Sequence, residues 1–259
     1  MPLIVSEVQD HIGFLTLNSP EKHNALSAQL VTELIGALAR FRAEGVRVAI
    51  LRSQPGARVW SAGHDVSELP TDGRDPLGWD DPLRHLIREI ENFSAPIIAM
   101  IEGTVWGGAC ETALACDLIV AAPATTFAIT PAKLGVPYNV SGMVTFMNSA
   151  NLRIVKEMAF TAAPIKAARA EQFGMINHVV PVPELLSFTL RIAQKIAANA
   201  PLSIAVMKEQ LRILAGARPM SPQGFERVQG LRRVVYDSED YREGIRAFKE
   251  KRAPVFTGK

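Results

Sequence analysis

The sequence has few cysteines and no excess of charge of either sign. Only 2 of its 259 residues are Cys, and 28 Lys and Arg face 26 Asp and Glu, for a formal net charge of +2. Two cysteines are too few for a disulfide framework or for a zinc site built on thiolates. A near-balanced charge without a long basic run lacks the electrostatic footprint of a protein that binds nucleic acid or an anionic membrane surface. Any anionic ligand must therefore be bound by local groups.

Long apolar runs are also missing. The apolar stretch at residues 118–130 is too short to span a bilayer and contains Pro123. The N-terminal segment MPLIVSEVQD lacks the basic and continuous apolar regions of a secretory signal. Together with the scarce cysteines, these features predict a protein of the reducing cytoplasm, with neither a membrane nor a nucleic acid as partner. The 5 histidines lack the spacing of metal ligands, so no metal is expected.

The periodicity that is present is typical of an α/β protein. Residues 12–17 and 46–52 are rich in apolar and β-branched positions and predict two strands. Between them, Ser27 is placed to cap a helix whose apolar residues recur every three or four positions from Leu30 to Phe41. The alternation then continues with a strand at 97–101, a Gly-rich turn, a helix at about 107–116, a strand at 117–122 and a short strand near Phe127. This order favours an α/β core.

The second half of the sequence has a different character. After residue 151 almost every segment carries helical spacing. The predicted helical segments are 165–173, 182–199, 201–215, 222–235 and 238–251. We therefore predict an α/β core over residues 1–200 and a C-terminal helical region over 201–259. Basic residues of that region, such as Arg232, are expected on solvated faces or in subunit contacts.

Two glycine-containing turns are candidate sites for an anion. Residues 61–66 follow small residues and turn at Gly63, and residues 105–111 place a Gly pair directly before a helix. A helix N-terminus has unpaired amides and a partial positive charge, and glycine lets a ligand approach the backbone. Such glycines more often serve packing or capping, and a Gly-His-Asp sequence is most often only a polar turn. A loop dense in Pro, Gly and Asp at 69–84 is expected to flank any site formed here.

A series of motifs along nearly the whole chain resembles the crotonase (enoyl-CoA hydratase/isomerase) superfamily. The motifs are Asn24-Ala25-Leu26, Ala62-Gly63-His64-Asp65, Gly107-Gly108-Ala109-Cys110-Glu111, Cys116-Asp117-Leu118, Leu134-Gly135-Val136-Pro137, and Arg242-Glu243-Gly244 followed by Glu250-Lys251-Arg252. The resemblance implies the crotonase-like (ClpP/crotonase) α/β fold, a spiral of ββα units with a C-terminal helical oligomerisation layer. It also implies a homo-oligomer, a trimer or a dimer of trimers.

The resemblance further implies a site for an acyl-CoA thioester. The backbone amides of His64 and Gly108 match the two oxyanion-hole donors that hold the thioester carbonyl in this superfamily. The other matches are Lys22 in the first CoA-binding loop, Ala62, Gly63, His64, Asp65 and Val66 along the CoA arm, and Phe248 and Lys251 near the adenosine phosphate, often across a subunit boundary.

One departure from the superfamily pattern bears on the reaction. Hydratases of the superfamily use two glutamates to place and activate water, and Glu111 matches the first of them. The second falls on Pro131, which has no titratable group. Because general acid–base catalysis needs such a group within reach of the proton, hydration by the paired-carboxylate route is disfavoured. Glu111 is then a candidate acid–base group or only a structural acid near the start of its helix.

Further segments, among them SAGHDVSELP, VWGGA and VYDSEDY, resemble the methylmalonyl-CoA decarboxylase family within this superfamily. This implies decarboxylation of methylmalonyl-CoA to propionyl-CoA through a thioester enolate, with no cofactor other than the CoA of the substrate. Tyr138 matches the tyrosine that orients the substrate carboxylate, and Thr130 matches a second polar contact. The proton donor to the enolate stays open among the Tyr138 hydroxyl, the His64 side chain, Glu111 and a bound water.

Two other functions compete with decarboxylation. One is enoyl-CoA hydration or isomerisation with Glu111 as the sole acid–base group. The other is a non-catalytic module that binds acyl-CoA or RNA, although the balanced charge argues against RNA.

Overall fold

The computed structural model describes all 259 residues, Met1 to Lys259. The strands are β1 (Ile4–Gln9), β2 (Ile12–Leu17), β3 (Val48–Ser53), β4 (Val59–Ser61), β5 (Ile97–Ile101), β6 (Thr104–Trp106), β7 (Leu118–Ala121), β8 (Thr126–Ala128), β9 (Ile165–Lys166) and β10 (His178–Val179). The helices are α1 (Ala28–Ala43), α2 (Pro82–Asn92), α3 (Gly108–Ala115), α4 (Val140–Ser149), α5 (Leu152–Thr161), α6 (Ala167–Gln172), α7 (Val182–Ala198), α8 (Pro201–Gly216), α9 (Pro222–Tyr236) and α10 (Glu239–Lys249). Short 3-10 turns occur at Pro20–Lys22, Val66–Glu68 and Pro131–Leu134. None of the helices combines the length and apolar character that crossing a bilayer requires.

The strands form two sheets. One has the order β1-β2-β3-β5-β7-β10 and the other the order β4-β6-β8-β9. All neighbours are parallel except the β1–β2 and β8–β9 pairs. In the successive units β3-β4-α2, β5-β6-α3 and β7-β8-α4, the first strand joins one sheet, the second joins the other, and a helix follows. This confirms the predicted α/β spiral of ββα units.

Helix α1 follows from its sequence as predicted. Ser27 caps it, because its hydroxyl accepts the N–H of Leu30 at 3.3 Å. Leu34 and Phe41 lie on its buried face. Strand β2 carries Gly13 beneath Phe41, where a side chain would overlap the aromatic ring. The opposite face of the same sheet is covered by apolar residues of α7.

The predicted helix at 165–173 is partly wrong, as is the nearly all-helical reading after residue 151. Ile165 and Lys166 form β9, in which Ile165 pairs with Phe127, and the helix α6 begins only at Ala167. His178 pairs with Val120 and extends the six-stranded sheet as β10. Strands of two residues are too short to show a period, so only their partners reveal them.

Several further elements were not predicted, among them β1, β4, β6, α2 and α4. The loop predicted at 69–84 ends earlier, because Asp81 caps α2 and Pro82 occupies its first position. Asp81 Oδ1 accepts the N–H of Leu83 at 2.9 Å. An Asp-Pro pair at this point is a helix-start signal that the composition of the loop obscured.

Two of the C-terminal helices, α9 and α10, contact a loop of the α/β core. Helix α8 starts at Pro201, next to the predicted boundary, and has no buried residue. Arg232 of α9 donates from Nη1 and Nη2 to the two carboxylate oxygens of Asp75, each at 2.7 Å. Tyr241 of α10 donates its hydroxyl to the carbonyl of Pro70 at 2.6 Å. The expectation of a solvated or intersubunit Arg232 is therefore wrong: its side chain is only 5% exposed, because it holds a loop of its own chain.

Candidate active site

A cavity of about 650 Å³ opens at the carboxyl ends of β4 and β6. These two strands are parallel neighbours, so the turns that follow them lie at the same edge of their sheet. Most of the residues predicted to bind substrate line this cavity. They are Lys22, Ala62, His64, Asp65, Val66, Gly108, Thr130, Tyr138 and Phe248. Of the other predicted residues, Gly63 shapes a wall, Glu111 lies behind one, and Lys251 does not line the cavity.

The turn after β4 packs directly on the start of α3. Gly63 has a φ of +88°, and a Cβ there would overlap the carbonyl oxygen of Trp106 and lie 2.9 Å from the nitrogen of Gly108. Both the backbone conformation and the space therefore require glycine. Gly107 has a φ of +55°, and a Cβ there would lie 2.8 Å from Thr130 Oγ1. The two glycine turns predicted from the sequence meet in space.

This packing brings two unpaired backbone donors together. The N–H of His64 donates to no protein group. Gly108 is the first residue of α3, so its N–H has no acceptor within the helix. A Cβ on Gly108 would lie 3.3 Å from the nitrogen of His64, and both residues line the cavity. Two adjacent amides, one at a helix N-terminus, suit an oxygen that gains negative charge.

The His64 side chain is held by two acceptors. Its Nε2 lies 2.9 Å from Asp81 Oδ2, and its Nδ1 lies 3.1 Å from the carbonyl oxygen of Asp65. Burial lowers the pKa of His64, but the hydrogen bond and charge of Asp81 outweigh it, so that the pKa is raised. Sequence reasoning missed Asp81, whose only local signal is that of a helix cap.

Glu111 is fully buried and forms an ion pair with Arg84 of α2. Arg84 also donates from Nη1 to Ser141 Oγ at 3.3 Å. Burial raises the pKa of Glu111, and Arg84 opposes this shift only in part. Neither residue lines the cavity. Arg84 was not predicted, because nothing local distinguishes it from any other arginine on a helix.

Tyr138 presents a buried hydroxyl that has no protein partner. Its ring contacts Phe146 edge to face, with the centroids 5.0 Å apart. Burial, followed by the charge of Glu111, raises the pKa of Tyr138 well above its usual value, so the hydroxyl stays neutral. A Cβ on Gly142 would lie 2.9 Å from Tyr138 Cδ1 and 3.1 Å from Glu111 Oε1. Glycine at this position of α4 lets both side chains approach.

Comparison with known proteins assigns the chain to a family. Residues 7–259 match the family model described as enoyl-CoA hydratase/isomerase. The chain belongs to this family. The resemblance predicted from the ordered motifs is confirmed.

Several members of the enoyl-CoA hydratase/isomerase family are similar over the whole chain. Methylmalonyl-CoA decarboxylase of Escherichia coli (strain K12) is 51% identical over 247 residues, which cover 95% of each chain. 2,3-Dehydroadipyl-CoA hydratase of the same strain is 30% identical and covers 99% of each chain. A solved structure of methylmalonyl-CoA decarboxylase in complex with 2-nitronate-propionyl-CoA has a TM-score of 0.98, with 49% identity and 99% of both chains covered. Another, complexed with 2S-carboxypropyl CoA, also has a TM-score of 0.98 and 49% identity, over 100% of this chain and 99% of that one.

Apolar side chains of this enoyl-CoA hydratase/isomerase family member complete the cavity. Pro131, at the position expected for the second glutamate of hydratases, lines it. Leu77, Leu83, Trp106 and Val136 form apolar walls. Sequence reasoning named Trp106 and Val136 only as parts of motifs and gave none of the four this role. The apolar character of such residues does not by itself distinguish the wall of a cavity from the ordinary core.

Few positively charged side chains lie at the cavity. Lys22 and Lys133 both line it, and Lys133 Nζ lies 6.0 Å from the centre of the Trp106 ring. Phe248 of α10 lines the cavity of its own chain. Lys251 follows α10 with a φ of +54° and is exposed. Lys133 belongs with Lys22 as a candidate contact for anionic parts of a ligand, whereas Lys251 is not placed there within one chain.

Proposed function

We propose that this protein is a methylmalonyl-CoA decarboxylase, which converts methylmalonyl-CoA to propionyl-CoA and CO2. The observation that carries the proposal is the pairing of two unpaired backbone amides with a buried, neutral tyrosine hydroxyl in one cavity. The same activity is named for the Escherichia coli relative that is 51% identical to this chain. The structures similar at a TM-score of 0.98 contain CoA derivatives.

The two amides would stabilise the negative charge that forms during the reaction. The thioester oxygen accepts hydrogen bonds from the N–H groups of His64 and Gly108. When the bond between C2 and the carboxylate carbon breaks, CO2 leaves and the electron pair moves onto that oxygen as an enolate. Because the charge on the oxygen grows toward the transition state, these bonds strengthen there and accelerate the step. Each such donor contributes about 3 kcal/mol in comparable enzymes.

The neutral hydroxyl of Tyr138 suits the departing carboxylate. A hydrogen bond from this hydroxyl orients the carboxylate, whereas a cation would stabilise the reactant more than the transition state, in which the carboxylate loses its charge. The nearby guanidinium of Arg84 is committed to Glu111 and does not line the cavity. Thr130 lines the same cavity and supplies a second polar contact.

Protonation of the enolate at C2 completes the reaction. The His64 ring has an acceptor at each nitrogen, and Glu111 lies outside the cavity lining. We therefore assign the proton to the Tyr138 hydroxyl or to a water molecule in the cavity. The balanced reaction consumes one proton and releases one CO2. We also propose that no cofactor takes part beyond the CoA of the substrate, because backbone amides suffice to hold the enolate.

The CoA arm would run along the turn after β4. Ala62, Asp65 and Val66 line the cavity there, and Lys22 and Lys133 supply positive charge for phosphate groups. Phe248 adds an apolar surface from the C-terminal helix of the same chain. This arrangement lets a protein with a net charge of only +2 bind a polyanion locally.

We further propose that the protein acts as a trimer or a dimer of trimers in the cytoplasm. Helix α8 has no buried residue, and two of its apolar side chains, Leu211 and Leu214, are 68% and 72% exposed. Leu231 and Val234 of α9 are exposed as well. Apolar surface of this extent favours burial against another subunit.

The test is incubation of the purified protein with methylmalonyl-CoA, followed by mass spectrometry for propionyl-CoA. We expect propionyl-CoA and CO2 to form in equal amounts. Absence of propionyl-CoA would overturn the proposal. Loss of crotonyl-CoA absorbance instead would support hydration, and tight acyl-CoA binding without turnover of any thioester would support a binding module.

A further inference from the structure

The first turn of α2 contacts both residues that carry the unpaired amides. Asp81, the cap of this helix, reaches the His64 ring with Oδ2. Leu83, two positions later, has its Cδ2 atom 2.7 Å from where a Cβ of Gly108 would lie. Asp81 Oδ1 is occupied by the N–H of Leu83 at 2.9 Å. One helical turn therefore contacts both the residue that carries the amide of the β4 turn and the residue that carries the amide of α3.

The contacts of the His64 ring define its protonation. The carbonyl oxygen of Asp65 can only accept a hydrogen bond, so Nδ1 must carry a proton to bond at 3.1 Å. An ionised Asp81 carboxylate likewise only accepts, so Nε2 carries the other proton at 2.9 Å. With both nitrogens protonated, His64 is an imidazolium ion paired with Asp81.

We propose that Asp81 is a positioning residue for decarboxylation, which holds the His64 ring as an imidazolium and thereby fixes the backbone N–H of His64 toward the cavity. The inference rests on the proposed function, since that function places the thioester oxygen at this amide. The Nδ1 bond closes on the carbonyl oxygen of the next residue, Asp65, and the Nε2 bond ties the same ring to α2. A change in the backbone conformation of His64 moves the ring away from these two acceptors.

The charges around His64 determine the direction of the pH effect. The Asp81 carboxylate faces it from α2, the Asp65 backbone carbonyl from its own turn, and the Glu68 carboxylate from the following 3-10 turn, and all three favour the protonated ring. Lys22 acts on Asp65, and the Arg84–Glu111 pair lies beyond Asp81. Burial alone would lower the pKa of His64, but these groups raise it. The imidazolium is therefore present below the raised pKa and is lost as pH rises through it.

Loss of this proton has two consequences for the site. One of the two ring bonds disappears, which frees the turn that carries the His64 amide. The Asp81 carboxylate also becomes an unpaired anion beside the position where the enolate charge forms. Both effects raise the barrier to decarboxylation, so the rate should fall on the alkaline side through the pKa of His64.

The test compares Asp81→Asn with Asp80→Asn. The Asp81→Asn variant retains a side chain that can cap the helix but loses the charge. Asp80 is the exposed neighbour, so its variant makes the same charge change next to the site. The ring nitrogens of His64 are observed by NMR in 15N-histidine-labelled protein across a pH series. In the wild type we expect both nitrogens to stay protonated through the usual histidine range and to titrate above it.

In Asp81→Asn, burial still lowers the pKa of His64, but the carboxylate that opposes this shift most strongly is absent. We expect the His64 titration to move to lower pH by about 1 to 3 pH units, below its usual value. The alkaline limb of kcat for methylmalonyl-CoA decarboxylation should move with it, with a smaller change in KM. Asp80→Asn should match the wild type in both measurements, and Asp81→Glu should restore the alkaline limb toward its original position.

The outcomes separate this proposal from the function on which it rests. A wild type that forms no propionyl-CoA overturns the function, whatever the NMR titration gives. A wild type that turns over, but whose Asp81→Asn variant keeps the same alkaline limb and kcat, overturns the positioning role. If that variant does not fold, the wild-type titration decides, because a His64 ring that titrates at or below the usual histidine value is incompatible with the proposal.

Discussion

Arg84 and Glu111 form an ion pair behind the wall of the cavity, where both side chains are almost completely buried. The pair places the one glutamate that matches a hydratase catalytic residue against a guanidinium instead of against the cavity. It also fills the space beyond Tyr138 with two mutually compensating charges. This arrangement keeps both charges out of the cavity lining.

Breaking the Arg84–Glu111 pair should destabilise the fold. In Arg84→Met, Glu111 is left buried without a counter-charge, and we expect the free energy of unfolding to fall by about 3 to 5 kcal/mol. Chemical denaturation followed by circular dichroism measures this loss. Arg88→Met, on the same helix, removes a guanidinium 3.9 Å from the Trp79 ring centre and should cost about 1 kcal/mol or less. Equal losses in the two variants would show that the burial of the pair carries no special cost.

Removing the Tyr138 hydroxyl should slow turnover more than it weakens binding. Because the hydroxyl orients the carboxylate for loss of CO2, and misplacement of a reacting group can cost about 100-fold in rate, Tyr138→Phe should lower kcat by about 10- to 100-fold. Steady-state kinetics with methylmalonyl-CoA measure kcat, and calorimetry with propionyl-CoA measures binding. Tyr236→Phe makes the same chemical change outside the cavity and should keep the wild-type kcat. An unchanged kcat in Tyr138→Phe would exclude the orienting role.

A side chain at Gly63 should disrupt both stability and catalysis. Gly63→Ala adds a methyl group that overlaps the Trp106 carbonyl, in a backbone conformation that costs Ala about 1 to 2 kcal/mol. Gly56→Ala is the matched control, because its φ is +76° and no atom lies within 4 Å. Thermal unfolding should show both variants destabilised by this conformational cost. Only Gly63→Ala should also lower kcat, by about 100-fold or more, because it displaces the amide donors. A similar kcat in both variants would argue against this placement of the donors.

The Asp75–Arg232 pair should restrain the loop that leads into α2. Loss of the two hydrogen bonds in Arg232→Met should speed hydrogen exchange of residues 69–81 by roughly 10- to 100-fold. Mass spectrometry of peptides from this loop measures the effect. Arg233→Met is the control, since the Arg233 side chain is 77% exposed. If exchange in this loop is the same in both variants, the Asp75–Arg232 pair does not restrain it.

The exposed face of α8 should carry the subunit contact. The double variant Leu211→Glu/Leu214→Glu introduces charges into this apolar face, so the assembly should shift to smaller species. Light scattering after size-exclusion chromatography reads the mass directly. Gln172→Glu adds a charge at an exposed position of α6, away from this face, and should leave the mass unchanged. A variant that keeps the full assembly would place the contact on another face.

Local patterns were sufficient for part of the fold and the site. The capped, striped helix α1 was predictable because its cap and its period of three to four lie within one short segment. The glycine turns at Gly63 and Gly107 were predictable as backbone sites because no other residue adopts such turns as readily. The ordered motifs likewise indicated the family, which the match over residues 7–259 confirms.

Only the tertiary structure decided which charges meet. Asp81 and His64 are 17 positions apart, Asp75 and Arg232 are 157 apart, and nothing in the sequence around either pair indicates that its two residues meet. The two-residue strands β9 and β10 are likewise defined by their partners and not by any period. Sequence alone therefore determined the scarcity of cysteine and the balance of charge, together with the need for local anion binding. The fold determined where local positive and negative potential arises. Helix ends, buried ion pairs and unpaired amides acquire their electrostatic effect only from what is packed around them.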